Sequence, residues 1–389
     1  MRISDSVLYV GVNDKDIDLF EGQYVVPNGV SYNSYIIMDE KIAIMDTVDK
    51  RKTDEWIANV ERTLQGKTPD YLVISHMEPD HAASIQVLAE KYPDMLLVGN
   101  AKTFGMVACF FDFEFENRKV VVAEGDELSL GQHTLVFVMA PMVHWPEVMV
   151  TYEKTEKILF SADGFGTFGA LDVEQPWDDE ARRYFINIVG KYGAPVQALL
   201  GKAATLDIAK ICPLHGPVID ENLGHYIGKY DTWSSYRPEN RGVVIAYASV
   251  YGNTEKAALS LKDKLIAAGE ENVVVADLAR SDMSEVISRA FQYDRMIVAA
   301  PTYDGGIYPI MEDFLRHLKA KAYQKRKVGI IENGSWAIAV GKLMQEILGE
   351  MKDIEILEPV VTIKSSVKAD TEAKIDELVQ ACVAAAITE

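Results

Sequence analysis

The second half of the chain alternates short apolar runs with stretches of helical period, and this alternation limits the fold more than any other feature of the sequence. The apolar runs are 243–248, 273–276, 296–300, 328–331 and 356–361. The helical stretches are 255–267, 283–290, 311–322, 338–351 and 372–386. Five strands that alternate with five helices are typical of a doubly wound parallel sheet, which binds ligands at the carboxyl ends of its strands.

The first half is organised differently, because strand-like runs are interspersed with fewer helical stretches. The runs are 24–26, 35–38, 42–45, 71–74, 96–98, 120–123, 134–139, 148–152 and 158–160, and one helical stretch covers 54–64. This mixture indicates sheets covered by helices. We therefore predict an α/β chain with one domain at 1–242 and a second at 243–389, with the polar stretch 233–242 as a linker.

Composition excludes several classes of protein. The 389 residues contain no run of about 18 apolar residues, and the amino terminus lacks a basic segment followed by an apolar one, so we expect no membrane span and a cytoplasmic location. The net charge of −20 disfavours nucleic acid and anionic lipid as partners. Three widely spaced cysteines, Cys109, Cys212 and Cys382, exclude a disulfide framework and a Cys-rich metal module.

Four potential metal ligands occur within six positions directly after the apolar run 71–74. They are His76, Glu78, Asp80 and His81. Pro79 lies among them, so we predict a loop rather than the interior of a helix. Three more candidates also follow strand-like runs or open loops, namely His144, Asp163 and His215. The recurrence of this arrangement predicts that all seven residues converge on one metal site.

The chemistry of these seven residues favours iron over zinc. Four imidazoles and three carboxylates form a mixed nitrogen and oxygen donor set. Anionic oxygen stabilises the higher charge of a metal that cycles between ferrous and ferric states, whereas zinc has no redox chemistry. Two other histidines have no such neighbours, so we interpret His133 as a strand residue and His225 as a solvated helix or loop residue.

A candidate phosphate loop follows the first strand of the second half. Small and hydroxylated residues there precede a predicted helix, whose amino terminus favours a terminal phosphate. The loop consists of Ser249, Val250, Tyr251, Gly252, Asn253 and Thr254. Loops after the third and fourth strands are predicted to frame the rest of the ligand, and they consist of Pro301, Thr302, Tyr303, Asp304, Gly305 and Gly306, and of Asn333, Gly334, Ser335 and Trp336.

Together these motifs resemble the flavodiiron proteins over nearly the whole chain. His-x-Glu-x-Asp-His followed by a distant His, Asp and His is similar to the metallo-β-lactamase fold as that family uses it, and the hydrolases of the fold carry His where Glu78 stands. The loop at 249–254 resembles the phosphate loop of flavodoxins. The resemblance implies an αββα sandwich followed by a flavodoxin-like doubly wound parallel sheet.

The resemblance also implies cofactors and an activity. FMN would bind the second domain, and two irons would bind the first, one held by His76, Glu78 and His144, the other by Asp80, His81 and His215, with Asp163 between them. The family reduces dioxygen to water, nitric oxide to nitrous oxide, or both, and Tyr184 is implied as a residue of the substrate pocket. The sequence does not choose between the two substrates.

Partners follow from the same resemblance. A head-to-tail homodimer, or a dimer of such dimers, would bring the flavin of one subunit to the irons of the other. The chain lacks a Cys pair for a rubredoxin extension, so we expect a separate electron donor, either rubredoxin or reduced deazaflavin. The basic cluster 321–327 is a candidate docking site for it.

Two functions from other classes remain open at this stage. One is a dinuclear metallohydrolase with a flavodoxin tail, and Glu78 argues against it because a zinc hydrolase would carry imidazole there. The other is an electron carrier whose metal domain is structural, which would leave Asp163 and the converging histidines without a role. Two irons per chain would support the reductase, two zincs the hydrolase, and neither metal the carrier.

Overall fold

The computed structural model describes residues 2–387, which form two compact units. One unit comprises the described residues up to Phe185 together with Ala194–Asp231. The other comprises Ile186–Gly193 and the described residues from Thr232 onward. The segments 186–193 and 232–242, which the sequence analysis assigned to the first domain, thus cluster with the second unit.

The first part of the chain consists of series of short strands that are separated by α-helices. The strands are β1 (Val7–Tyr9), β2 (Val12–Asp14), β3 (Leu19–Phe20), β4 (Tyr24–Val25), β5 (Val30–Tyr32), β6 (Tyr35–Ile37), β7 (Ala43–Met45), β8 (Tyr71–Val73), β9 (Leu96–Gly99), β10 (Lys119–Val121), β11 (Glu127–Ser129), β12 (Thr134–Met139), β13 (Met149–Glu153), β14 (Ile158–Phe160) and β15 (Lys210–Cys212). The α-helices are α1 (Thr53–Leu64), α2 (Pro79–Ala82), α3 (Ile85–Lys91), α4 (Ala101–Phe110), α5 (Trp177–Tyr184), α6 (Gly193–Ala203) and α7 (Leu223–Ser234).

Two sheets pack face to face in the first unit. The first has the order β1-β6-β7-β8-β9-β10 and the second the order β11-β12-β13-β14-β15. One core cluster joins Tyr35 and Val73 of the first sheet to Phe137 and Phe160 of the second. Ile36 and its neighbours on the opposite face of the first sheet are also fully buried, so both faces of that sheet are covered, and this layering is the predicted αββα sandwich.

The second unit contains the predicted parallel sheet. Its strands are β16 (Asn240–Tyr247), β17 (Val273–Asp277), β18 (Tyr293–Tyr303), β19 (Gly306–Ile307), β20 (Arg326–Asn333), β21 (Ile354–Ile356) and β22 (Val361–Ile363), and its helices are α8 (Asn253–Ala267), α9 (Met283–Gln292), α10 (Pro309–Ala320), α11 (Val340–Gly349) and α12 (Ala369–Ala384). The order β17-β16-β18-β20-β21, with β22 also on β20, is that of a flavodoxin-like sheet.

The structure differs from the sequence predictions in two segments of this unit. The run 356–361 is not one strand, because the pairing with β20 stops after Ile356 and resumes at Val361. Pro359 lies in the gap, and proline has no N–H to donate to a sheet. The stretch 233–242 is not a free linker, since Trp233 is buried within α7 and β16 already begins at Asn240.

The basic cluster 321–327 is not a free cationic surface. Arg326 is buried and donates to the carbonyl oxygens of Tyr293 and Phe291. Lys325 donates to a carbonyl oxygen at 2.8 Å, that of Ser235. These cations therefore bind backbone of their own unit. Among the described residues, no helix combines the length and the apolar character needed to cross a bilayer.

Candidate functional sites

The seven predicted metal ligands lie on loops and a short helix that follow strands of the two sheets. His76 and Glu78 follow β8, while His144 lies between β12 and β13. Asp163 follows β14 and His215 follows β15. Neighbouring strands β14 and β15 are parallel, so the loops after them emerge at one edge of the sandwich. The sheets thus bring together residues that are far apart in sequence.

The segment around Pro79 is a short helix rather than the predicted loop. Helix α2 begins at Pro79, which is tolerated there because the first helical position needs no N–H donor. Glu78 is extended and precedes the helix, and its carbonyl oxygen accepts from the N–H of His81 at 2.9 Å. This turn directs the adjacent side chains of Asp80 and His81 toward the same group.

One group of donor atoms comes from His76, Glu78 and His144. Glu78 Oε2 lies 3.2 Å from His76 Nε2 and 3.0 Å from His144 Nε2. Asp163 Oδ2 lies 3.3 Å and 3.1 Å from the same two nitrogens. Ligand atoms about 2.1 Å from one ion lie roughly 3.0–3.4 Å apart at octahedral or tetrahedral angles. The spacing therefore fits one metal ion.

A second group comes from Asp80, His81 and His215. His81 Nε2 lies 2.9 Å from His215 Nε2, and Asp80 Oδ2 lies 3.3 Å and 3.1 Å from those two nitrogens. Asp163 turns its other oxygen, Oδ1, toward this group, 3.4 Å from His81 Nε2. One carboxylate thus faces both groups, as a bridging ligand of a two-metal site does.

Several atoms of these groups are buried without a hydrogen-bond partner among the described residues. They are both side-chain oxygens of Asp80, both of Asp163, and His144 Nε2. Buried polar atoms without partners are costly, and a bound ion is one explanation for them. Four of these atoms, Asp80 Oδ2, both oxygens of Asp163 and His144 Nε2, lie close to the other ligand atoms of their groups. The residues therefore fit a pair of divalent ions.

Imidazoles and carboxylates shift each other's pKa values in this site. Burial opposes the charge of Glu78, but the close imidazoles of His144 and His76 outweigh burial and lower its pKa. Burial likewise disfavours charge on His144, yet its contacts with Asp163 and Glu78 raise its pKa to about 9. Burial raises the pKa of Asp80 to about 7 despite the attraction of His81. Metal binding must therefore displace protons, because the ligand forms are neutral imidazole and carboxylate.

The second ring nitrogens of two histidines have different partners. His76 Nδ1 lies 2.8 Å from Glu147 Oε1, and the N–H of Met77 donates to the same oxygen at 2.8 Å. His215 Nδ1 lies 2.7 Å from the carbonyl oxygen of Ser31. In each case the other nitrogen, Nε2, is the one that faces the metal group, and the hydrogen bond fixes this orientation.

Aromatic rings enclose the second group. Phe20, on the β3–β4 hairpin, and Tyr184, at the end of α5, each lie 5.4 Å from the ring of His215. Tyr184 was predicted as a pocket residue and is 1% exposed. Burial and then the charge of Asp163 raise its pKa well above the ordinary value, so its hydroxyl stays protonated.

The three predicted flavin loops line one cleft of about 590 Å³ in the second unit. The cleft is lined by Ser249, Val250, Tyr251, Asn253, Thr254, Pro301, Thr302, Tyr303, Asp304, Gly305, Asn333, Gly334, Ser335 and Trp336. Gly252 and Gly306 do not line it. Gly252 instead has a φ of +83° directly before α8, a conformation that favours glycine. Ala337 and Ser365 complete the wall.

Sequence reasoning missed several residues near these sites. Glu147 contacts His76, which is 71 positions away. Ser365 accepts a hydrogen bond from Asn333 through its carbonyl oxygen. Glu21 lies in the β3–β4 turn near Glu78, and desolvation and the charge of Glu78 raise its pKa to about 7. No local motif marks any of the three.

The two remaining histidines of the first half lie outside the metal groups. His133 is buried directly before β12, not within a strand as predicted, and its Nδ1 lies 2.8 Å from Asp39 Oδ2. His225 is partly exposed on α7 and lies 2.6 Å from Asp178. Both thus have partners that account for them without a metal.

Comparison with known proteins agrees with this architecture. Residues 30–216 match the ODP family beta lactamase, and residues 244–349 match a flavodoxin domain. The nitric oxide reductase of Moorella thermoacetica is 31% identical over 378 residues, which cover 94% of this chain and 93% of that protein.

Solved structures are similar over the whole chain. The rubredoxin oxygen:oxidoreductase of Desulfovibrio gigas has a TM-score of 0.92 at 27% identity, with 99% of this chain and 98% of that chain covered. The flavodiiron protein of Giardia intestinalis has a TM-score of 0.89 at 25% identity, with 98% and 96% covered. Both domains match known families, one relative is more than 30% identical over nearly its full length, and the fold is shared with solved structures. The chain therefore belongs to the flavodiiron protein family.

Proposed function

We propose that this chain reduces dioxygen to water, nitric oxide to nitrous oxide, or both, at a di-iron centre that receives electrons from FMN. The observation that carries the proposal is Asp163, whose two carboxylate oxygens face two separate groups of ligand atoms. The names of two relatives support the same activity, since one is a nitric oxide reductase and the other a rubredoxin oxygen:oxidoreductase.

In this proposal the first domain, 1–242, holds the irons. His76, Glu78 and His144 hold one iron, and Asp80, His81 and His215 hold the other, with Asp163 shared between them. Bound irons supply one-electron chemistry at two adjacent positions, which suits substrates that take up several electrons. Glu78 supports iron over zinc because an anionic oxygen replaces the imidazole of the hydrolases.

The chain's own side chains prepare the pocket. Phe20 and Tyr184 pack against His215 and exclude water from that side. Tyr184 keeps its proton, because burial and the carboxylates nearby oppose its ionisation. A protonated phenol beside the site adds no negative charge and keeps a hydrogen-bond donor near the reacting atoms.

The second domain, 243–389, binds FMN in this proposal. The loops 249–254, 301–306 and 333–336 surround the flavin, with the phosphate at the amino terminus of α8. Support comes from the shared cleft and from Tyr251 and Trp336, which are 92% and 82% exposed at its wall. Such exposed aromatic rings are typical of an interface, so we also propose a head-to-tail homodimer that covers the flavin.

In this proposal a separate protein or a reduced cofactor supplies the electrons. Rubredoxin is our first candidate, because the name of the Desulfovibrio gigas protein includes it, and reduced deazaflavin is the alternative. The cluster 321–327 no longer supports a docking site, since its Arg326 is buried.

One experiment tests the function directly. The purified protein is reduced anaerobically, and separate samples are mixed with dioxygen and with nitric oxide while flavin reoxidation and products are followed. Rapid oxidation with water or nitrous oxide as product supports the reductase. Slow reoxidation that releases peroxide, as a simple flavin gives, contradicts it, and two zincs in place of iron would favour the hydrolase.

A matched pair of variants strengthens this test. His144→Gln removes a metal-facing imidazole and should abolish rapid reoxidation while FMN content stays unchanged. His225→Gln makes the same chemical change at a partly exposed histidine outside the site and should behave as the unmodified protein. Equal loss of activity in both would contradict the assigned centre.

A further inference from the structure

The two metal groups differ in the hydrogen-bond partners of the histidine Nδ1 atoms. Glu147 is fully buried on the loop before β13, and its Oε1 is 2.8 Å from His76 Nδ1. The corresponding atom of His215 contacts a neutral carbonyl oxygen, that of Ser31. His81 Nδ1 has no hydrogen-bond partner among the described residues. Only the first group therefore has an outer carboxylate on an imidazole, among the contacts described.

Outer carboxylates change the properties of a metal ion through the imidazole that they contact. A carboxylate that accepts the Nδ1 proton makes Nε2 a more basic ligand and adds negative charge near the ion. Each group has one carboxylate of its own, Glu78 or Asp80, and shares Asp163. Glu147 is thus an additional charge on the side of His76.

Another buried carboxylate in this region does not offset the difference. Asp46 Oδ1 accepts the backbone N–H of Ser75 at 2.7 Å, and no imidazole nitrogen contacts it among the described hydrogen bonds. Glu147, in contrast, is held in place by the N–H of Met77, so its oxygen remains directed at His76.

We infer that Glu147 is a positioning residue that makes the two metal positions inequivalent, so that the ion held by His76, Glu78 and His144 is bound more tightly and is oxidised at the lower potential. This inference rests on the proposed di-iron centre and goes beyond it. In an oxidative titration, the ferrous ion at that position gives one electron to the added oxidant and becomes ferric before the other ion does.

The test uses the FMN-containing protein, and ferrous iron is the only ligand that is added. Anaerobic equilibrium dialysis against graded free iron gives the two binding steps, and Mössbauer spectra of enriched iron distinguish the two positions. Glu147→Gln keeps the accepting oxygen and removes the charge. We expect the tighter binding step to weaken about 10–100-fold, one of the two spectral components to shift, and the weaker step to stay unchanged.

Two further variants separate charge from structure. Glu153→Gln makes the same change at a fully buried carboxylate at the far end of β13, where it binds the N–H groups of Thr155 and Glu156, and it should leave both steps unchanged. Glu147→Asp keeps the charge and should restore part of the difference between the positions. It also provides a measurement if the Gln variant does not fold.

Opposite results would overturn the inference. Equal weakening of both steps in Glu147→Gln would show a general structural role, and two unchanged steps would show no role at all. These results differ from a failure of the proposed function, in which the unmodified protein itself would bind fewer than two irons per chain.

Discussion

The metal centre and the flavin cleft are built in opposite ways. The metal centre consists of side chains that converge from loops after several strands, and its most exposed ligand side chain, that of Glu78, is 14% exposed. The flavin cleft consists of consecutive loop residues, and Trp336 in its wall is 82% exposed. Buried ionisable side chains need partners, whereas loop backbone can recognise a phosphate and a ring while it stays open to solvent.

The two sites should therefore differ in how strongly a single substitution affects them. A change of one metal ligand alters charge and geometry in a buried site, so its effect should be large. A change of one cleft residue removes one contact among many, so its effect should be smaller. Single substitutions in the two sites should therefore follow this order of effect.

Asp163→Asn should cause the largest loss of metal. Both groups lose a share of the same negative charge, so we expect a loss of affinity greater than the about 10–100-fold that follows removal of an outer partner. Metal analysis and flavin absorbance measure the result, and FMN content should not change. Asp178→Asn, at a partly exposed carboxylate that binds His225, is the control. Iron loss in this variant would contradict the assignment of Asp163 as a metal ligand.

Glu78→His should impair iron loading or redox turnover and leave FMN content unchanged. The new imidazole removes one anionic ligand, which destabilises ferric iron more than ferrous iron. Iron content and flavin content measured on the same sample provide the test. Equal loss of flavin would show that the two sites do not have separate roles.

Thr254→Val should weaken FMN binding without affecting iron. Thr254 is buried at the start of α8, and its hydroxyl oxygen lies 3.3 Å from Asn333 Nδ2. A hydrogen bond to a charged phosphate contributes about 1.5–3 kcal/mol, so flavin titration should show a loss of affinity of roughly tenfold or more. Thr362→Val on the exposed side of β22 should bind FMN normally; unaltered affinity in both variants would contradict the assigned phosphate loop.

Trp336→Ala should change the flavin signal more than the stability. Its side chain is almost entirely exposed, and such substitutions usually change the free energy of unfolding by less than about 0.5 kcal/mol. Loss of the ring next to the flavin should increase FMN fluorescence. Ile227→Ala, at an exposed apolar residue on α7, is the control for stability, and unchanged fluorescence of the Trp336 variant would place the flavin elsewhere.

His133→Gln should have the smallest effect on the two sites, and it tests pH dependence outside the metal centre. Burial opposes charge on His133, but the contact with Asp39 outweighs burial and raises the pKa of His133. Burial likewise opposes charge on Asp39, but hydrogen bonds from His133 outweigh it and lower the pKa of Asp39. The contribution of His133 to the free energy of unfolding is complete below its unfolded pKa of about 6.5, and it is lost as pH rises through its folded pKa. The contribution of Asp39 is complete above its unfolded pKa of about 3.9, and it is lost as pH falls through its folded pKa.

The ion pair of His133 and Asp39 therefore contributes fully to stability between about pH 4 and 6.5. We expect His133→Gln to lower the free energy of unfolding by about 1 kcal/mol in that window and by less at higher pH. Denaturant unfolding at several pH values measures this difference. A difference that grows as pH rises would contradict the assigned pair.

Much of the fold could be predicted because its signals are local. The five apolar runs of the second half and the helices between them each depend on neighbouring residues, and the order of the sheet follows from the flavodoxin pattern. The break at Pro359 was missed because the apolar run continues on both sides of it, although proline itself was the available signal.

The outer partners of the metal centre could not be predicted in the same way. Glu147 meets His76 only because β8 and β13 belong to sheets that pack together, and Ser31 meets His215 across 184 positions. Neither contact leaves a periodic pattern. The helix at Pro79 was also missed, because proline was taken as a helix breaker although it is tolerated in the first turn.

The core of the first unit has a consequence for how the protein matures. The residues that join its two sheets are apolar, and none of the seven metal ligands is among them. Imidazoles and carboxylates meanwhile pair with one another in the site. The two sheets therefore pack through contacts that include no metal ligand, so we expect the sandwich to assemble before iron is bound.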